Sequence, residues 1–258
     1  FPKIHLFELH SNKGFGAANN FAVQELIKKG VEFDSICILN NDTLPKMQTL
    51  PLLQQAITRY KASHCDEVII APRIKSIDGR EQKNYYAKIS WVQFLLNAFR
   101  SEQQASNYLQ GSLQPTDDPT LVEAYWVNAV CLMMSRSLWE KLGGFDDRIF
   151  MYYEDMDLAL RAKKLKVRFL IEMQSMLTHL GGASSTSSIQ QALQSDNSQQ
   201  YVFYKHYGLL GKGISKAFRF LRSGLRVATG LPFYIFSKPT QKKVNTHFRL
   251  LKNVFNAK

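Results

Sequence analysis

Phe33-Asp34-Ser35-Ile36-Cys37-Ile38-Leu39, halted by Asn40-Asn41-Asp42, reads as a short apolar strand that stops on three polar residues. Ahead of it, Asn12-Lys13-Gly14-Phe15-Gly16 is a turn leading into a helix over about 17–29, and residues 3–9 alternate apolar and polar like a strand. Behind it, a helix is expected over 46–60 and a second buried strand over 67–71, ended by Pro72. Strand, helix, strand, helix, strand is the order of an α/β fold, a mostly parallel sheet covered by helices. Further along, residues 124–134 read as an apolar strand, 136–142 as a short helix, 154–164 as a helix and 167–171 as a returning strand. The pattern over 73–123 is weaker: strand then helix across 85–96, a polar loop across 111–119. A flexible Gly/Ser/Thr segment follows at 181–188.

The chain has 258 residues, 45% hydrophobic and 21% charged, enough to bury a sizeable core. Cys37, Cys65 and Cys131 are odd in number, far apart and without a C-x-x-C pair, which argues against a disulfide framework or a zinc site and for a reducing cytosol. No secretory signal opens the sequence and the first residue is not Met, so the chain is expected to begin partway into a longer product.

The net charge of +12 is uneven. Residues 1–196 hold 21 Lys and Arg against 21 Asp and Glu; residues 197–258 hold 12 Lys and Arg and no acid. A neutral body with a basic end argues against a nucleic-acid binder and for an anchored catalytic unit. The division expected is therefore a catalytic domain over 1–208 and a basic helical tail over 209–258. In that tail Leu210, Ile214, Ala217, Phe218, Leu221 and Leu225 recur at helical spacing, with Lys212, Lys216, Arg219, Arg222 and Arg226 at other positions. Such a helix lies on an anionic membrane surface, or packs its apolar face on its own domain with the basic face solvated. No apolar run reaches the ~18–20 residues needed to span a bilayer.

Three constellations carry chemistry. Gly143-Gly144-Phe145-Asp146, then Phe150-Met151-Tyr152-Tyr153-Glu154-Asp155-Met156-Asp157 and Arg161, set carboxylates among aromatic side chains, where desolvation raises a carboxylate's proton affinity and fits it for base chemistry. The plain alternative is a helix N-terminus stabilised by acids, with Asp157 and Arg161 as an i,i+4 pair. Asn40-Asn41-Asp42 projects from a strand's carboxyl end, where open α/β sheets place ligands, and Asp42 with an Asn carbonyl can hold a hard divalent cation against a diphosphate; a plain turn uses the same residues. Gly14 and Gly16 match the first two glycines of a dinucleotide fingerprint, but Asn19 stands where the third is needed, which excludes that site and leaves a backbone cradle for a phosphate or sugar, or a tight turn. His179 is a possible metal ligand or a loop residue.

Together the runs Asn12–Asn20, Leu39–Thr43, Asn128–Met134, Gly143–Asp146 and Phe150–Asp157, with Arg161 and His179, resemble the family 2 glycosyltransferases, most closely the branch that includes bacterial rhamnosyltransferases. The similarity covers 4–207. It implies a GT-A fold lacking its first strand here, a nucleotide-sugar donor, Mg²⁺ or Mn²⁺, and inversion at the anomeric carbon. By the same resemblance Asp42 and His179 face the metal or diphosphate, and Asn40 replaces the first acid of the family's D-x-D. Asp155 matches the acid that serves the family as general base, with Glu154 beside it, and Arg161 is expected to orient the acidic cluster through Asp157. Asn12, Gly14, Gly16, Asn19, Asn40, Asn41 and Asn128 are expected along the donor. The acceptor implied is a saccharide or polyprenyl-linked saccharide in cell-surface polysaccharide synthesis, reached by a cytoplasmic enzyme held peripherally on the inner face of the membrane. A catalytically inactive partner subunit of the same fold is one alternative, and a basic nucleic-acid-binding protein using the Lys/Arg tail is a second, less favoured one.

Overall fold

The structure is a computed structural model that describes residues 4–64, 66–88, 90–99, 112–181, 189–235 and 237–256. The chain divides into two compact units, one made of residues 1–87 and 111–183, the other of 88–110 and 184–258.

The first unit is built on a mixed sheet. Its strands are β1 (Ser35–Leu39), β2 (Thr43–Pro45), β3 (Val68–Ser76), β4 (Glu81–Gln82), β5 (Tyr85–Tyr86), β6 (Gln114–Pro115), β7 (Leu121–Ala124), β8 (Trp126–Val127), β9 (Cys131–Ser135) and β10 (Arg168–His179). The main sheet runs β1-β9-β3-β10-β7-β6, with β2 on β10 and β4 on β3, while β5 and β8 pair separately. Helices α1 (Phe15–Lys28), α2 (Thr49–Ser63), α4 (Arg136–Leu142) and α5 (Glu154–Lys164) belong to this unit; α3 (Trp91–Leu96) belongs to the other.

The α/β character and the flanking helices are as the sequence implies, but the sheet is mostly antiparallel rather than mostly parallel. Among the described residues only β3 and β10 pair in parallel; β9 runs antiparallel to both β1 and β3, and β10 runs antiparallel to β7 and β2. The correction has a simple cause. β1 and β3 do point the same way, since both oppose β9, but a strand arriving about ninety residues later is inserted between them, and local alternation carries no signal of that neighbour. Met134 stands opposite Ile36 on one side and Ile69 on the other.

Period-2 alternation along the central strands divides the core into two faces. Ile69, Ala71, Leu132, Met134, Phe169 and Ile171 join Val23 of α1, Leu138 and Trp139 of α4 and Leu158, Ala159 and Ala162 of α5. Val68, Ile70, Cys131, Met133 and Leu170 meet Leu53, Ala56, Ile57 and Tyr60 of α2 on the opposite face. Each such aliphatic side chain contributes about 1.5–3 kcal/mol by leaving water.

Other boundaries move. β3 continues through Pro72 to Ser76, because its parallel ladder with β10 runs on past the proline. β10 extends over twelve residues with a register shift between Glu172 and Met176, far beyond the expected 167–171. The stretch 124–134 holds the end of β7, all of β8 and most of β9, broken at Tyr125 and again at Asn128–Val130. Residues 4–9 form no strand, and Ile4 and Leu6 are exposed: an alternating pattern without a ladder partner does not hold a strand. The expected flexible segment lies, from 182 to 188, outside the described residues.

In the second unit, α6 (Ile189–Gly230) breaks at Gly208, whose φ of 63° and ψ of −150° are not helical, and α7 (Lys238–Asn256) packs along it. The division expected at 208 thus falls inside one compact unit. The two segments of α6 are tied by polar groups. Arg219, expected on a solvated basic face, is 0% exposed. It donates to Gln200 Oε1 at 2.6 Å, its Nε lies 3.5 Å from Asp196 Oδ2, and Arg222 pairs with Asp196 at 2.7 Å. Conversely Leu210 and Leu221 are exposed. The lone acid at 196, just before the acid-free stretch, turns two of the basic residues inward.

Candidate functional site

The carboxyl ends of β1, β3 and β10 share one edge of the sheet, and the polar residues flagged in the sequence gather there. Asn40 follows β1, and its N–H donates to the Val130 carbonyl at 3.0 Å. Thr43 donates from Oγ1 to the Asn40 carbonyl at 2.6 Å, closing the turn that contains Asn41 and Asp42; Asn41 is exposed. β2 then pairs with the end of β10 so that His179 stands opposite Thr43, and Leu180 N donates to the Asp42 carbonyl at 2.9 Å. Two residues 137 positions apart are brought together by this short ladder: His179 Nε2 lies 3.3 Å from Asp42 Oδ1.

His179 Nδ1 is 3.1 Å from Gln82 Oε1 on β4. The tautomer that donates from Nδ1 to this amide oxygen turns the Nε2 lone pair toward Asp42. Asp42 Oδ1 and Asn40 Oδ1 are both buried without a hydrogen bond. An imidazole lone pair facing a carboxylate oxygen, beside an orphaned amide oxygen, fits a small divalent cation of the Mg²⁺ or Mn²⁺ kind, with ligand oxygens and water completing its coordination. Among the described residues no group of three or more His, Cys, Asp or Glu forms a metal cluster, so a cation here would depend on a bound ligand.

Asp155 approaches the same edge from α5. Its Oδ1 accepts from Met156 N at 2.7 Å, and it also takes the Ala129 N–H, which belongs to the turn preceding β9. Surrounding protein desolvates the carboxylate and pushes its pKa up to about 6, the backbone donors opposing the rise. Glu154 is pushed up to about 7, first by burial and then by the Asp155 charge, and its Oε2 is buried without a hydrogen-bond partner. Near neutrality one of these neighbouring acids is charged while the other holds much of its proton.

The aromatic collar has a backbone consequence. Tyr152 and Tyr153 both adopt left-handed φ of 67° immediately before α5, a conformation costing of order 1–3 kcal/mol per residue. Asp157 and Arg161 face into the body instead. Asp157 is 0% exposed and accepts from Arg161 Nε at 2.9 Å, while Arg161 Nη1 donates to the Leu142 carbonyl. The pair fastens α5 to the end of α4, a stronger role than that of an exposed i,i+4 pair.

The N-terminal turn supports the same loop. Asn12 Oδ1 accepts from Gly14 N at 2.9 Å, and Asn19 donates to the Phe15 carbonyl at 2.8 Å. A Cβ on Gly14, whose φ is 88°, would come within 1.9 Å of the Phe150 carbonyl oxygen; one on Gly16 would come within 2.8 Å of Phe145 Cβ. Phe15 N donates to that Phe150 carbonyl at 3.1 Å, and Asn20 brackets Phe145, accepting from its N and donating to its O. The glycines therefore admit the 145–150 loop that leads to the acidic turn.

Asn128 accepts from Val130 N at 3.3 Å through Oδ1, and its N donates to the Asn84 carbonyl. Its side chain also bonds Tyr86, whose hydroxyl is pushed up by burial and then by the Asp155 charge. Tyr86 stacks on Trp126 with ring centroids 4.2 Å apart. Sequence reading missed Tyr86, Trp126 and Gln82 because they sit in the weakly patterned 73–123 stretch or on a two-residue strand. Only the pairing of β5 with β8 brings the stacked rings beside Asn128.

The chain is similar in sequence to curated glycosyltransferases. It is 26% identical over 175 residues to an N-acetylglucosaminyl-diphospho-decaprenol L-rhamnosyltransferase of Mycobacterium tuberculosis, found in two strains, covering 64% of this chain and 54% of the relative. It is 23% identical over 164 residues to the low-salt glycan biosynthesis hexosyltransferase Agl10 of Haloferax volcanii, covering 62% of this chain and 47% of the relative. The chain thus spans about half the length of the curated relatives it matches. No family model matches it.

Proposed function

We propose that the chain is the catalytic part of a family 2-type glycosyltransferase, moving a sugar from a nucleoside-diphosphate donor to a hydroxyl of a saccharide or lipid-linked saccharide with inversion. The observation that carries this reading is the gathering of Asp42, His179 and the desolvated Asp155 on one edge of a single sheet. The names of the relatives support glycosyl transfer, and one of them a diphospholipid-linked acceptor.

In the reaction proposed, Asp155 accepts the proton of the acceptor hydroxyl as its oxygen attacks the anomeric carbon, and the bond from that carbon to the diphosphate oxygen breaks with its electron pair leaving on the nucleotide. A carboxylate with a raised pKa is a stronger base than an exposed one and remains largely ionised at neutral pH. Glu154, partly protonated, limits the negative charge beside it. The Ala129 N–H holds the base against the β9 edge, and Tyr86, bonded by Asn128 and stacked on Trp126, offers an aromatic face to an acceptor ring. A divalent cation held by Asp42 and His179, when bound, supplies positive charge to the departing diphosphate. The basic stretch 197–258, which carries no acid, supports peripheral attachment to an anionic membrane surface, where a lipid-linked acceptor is presented.

A thermal-shift screen of nucleotide sugars with and without Mn²⁺ tests the donor half. Stabilisation by at least one nucleoside-diphosphate sugar, enlarged by Mn²⁺ and lost in Asp42→Ala, is expected; metal-independent stabilisation equal in the variant contradicts the site.

A further inference from the structure

A cluster of exposed apolar side chains lies in the second unit where α6 hands over to α7. Leu231, Phe233 and Ile235 are 56%, 62% and 76% exposed, Pro232 is exposed beside them, and the turn is a short 3₁₀ segment, Leu231–Phe233. The turn is built, not frayed. Gly230 sits so close to α7 that a Cβ would come within 2.4 Å of Val244 Cγ2, and Tyr234 OH donates to Asn245 Oδ1 at 3.2 Å. Lys238, Lys242 and Lys243 follow on the first turns of α7, all exposed, and no acid lies anywhere in 197–258. Meanwhile the apolar positions Val244, Leu250 and Val254 of α7 are buried, so this helix has already spent its apolar stripe on its neighbour.

We infer that the Leu231–Ile235 turn is the element that enters a lipid surface, with Lys238, Lys242 and Lys243 reading anionic headgroups beside it. This rests on the membrane reading above and relocates its contact from the 209–227 helix face, where Phe218 and Arg219 are buried, to the turn. The chemistry is specific to a membrane interface. Aliphatic and aromatic side chains on a tight turn reach into the headgroup boundary without exposing unpaired backbone, while lysines reach phosphates at its rim. Positive charge on a stretch of sequence that carries no acid complements an anionic leaflet and is repelled by a basic surface such as another copy of this tail.

The test uses the full chain floated with vesicles of phosphatidylcholine alone or mixed with phosphatidylglycerol. Binding to the anionic vesicles that weakens with salt is expected of the native chain. Phe233→Ser/Ile235→Ser should lower the bound fraction about tenfold or more, with an unchanged circular dichroism spectrum, since both side chains are exposed. Lys238→Gln/Lys242→Gln/Lys243→Gln should remove the preference for phosphatidylglycerol, and Leu209→Ser/Leu210→Ser, at the Gly208 break, should bind like the native chain. Native-like binding by the Phe233/Ile235 variant overturns the turn's role while leaving the membrane reading standing. Failure of the native chain to bind either vesicle overturns both. A dimer on size exclusion that the Phe233/Ile235 changes dissolve would assign the turn to self-association and overturn the inference.

Discussion

Asp155 sits in a place that costs the fold and suits the proposed base. Its pKa, pushed up to about 6 by burial, means that the folded chain binds the proton more tightly than the unfolded chain does. Stability from this group is therefore present below the ordinary carboxylate value of about 4 and is lost as pH rises toward 6, after which the deficit is constant. Asp155→Asn removes that deficit, and urea denaturation at pH 7.5 is expected to show a gain of about 2 kcal/mol at most. Transfer follows the opposite slope: the rate should climb as pH rises through about 6 and then level, because the ionised form is the base. A rate flat between pH 5 and 8 would remove Asp155 from that role. The glycines supply a second contrast at this scale. Gly14→Ala meets the Phe150 carbonyl in left-handed backbone and should cost about 2 kcal/mol or more; Gly30→Ala, at φ 68° in open space, should cost only about 1 kcal/mol.

Among the elements, α5 shows what periodicity reveals and what it hides. The acids at 154, 155 and 157 and Arg161 read correctly as the start of a helix, since charge at a helix terminus is a local signal. That Asp157 is buried and that Arg161 reaches the Leu142 carbonyl was not legible, because the partner element ends twelve residues earlier and packs through the core. Arg161→Met removes the cation that pairs with the buried Asp157 carboxylate, and thermal or chemical denaturation should show a loss of about 3 kcal/mol, well beyond that of a surface pair. The strands teach the converse. β1, β3 and β10 announce themselves by apolar runs, whereas β2, β4, β5 and β8 are two or three residues long and exist through their partners. Those short strands are the ones that set His179 on Asp42 and Tyr86 beside Asn128, so part of the site was invisible for the same reason they were.

At the scale of the whole molecule, chemistry and charge are segregated. One unit carries balanced charge and the polar edge; the other carries an excess of basic residues over its two acids, Glu102 and Asp196, and among the described residues no helix is long and apolar enough to cross a membrane. The sheet edge collects side chains from positions 40–42, 128–129, 154–155 and 179, a convergence that depends on β9 entering between strands laid down far earlier. His179→Ala should weaken Mn²⁺-dependent donor binding about tenfold by calorimetry while leaving the fold intact, since among the described residues the ring's polar contacts are Gln82 and Asp42. The central claim is that Asp42 and Asp155 act on one bound donor from two sides. It is tested most directly by measuring donor binding and sugar transfer for Asp42→Asn and Asp155→Asn under identical Mn²⁺ concentrations. Loss of donor binding in the first, and native donor binding with transfer reduced at least about a hundredfold in the second, is the expected outcome; transfer near the native rate in Asp155→Asn, or native Mn²⁺-dependent donor binding in Asp42→Asn, contradicts it.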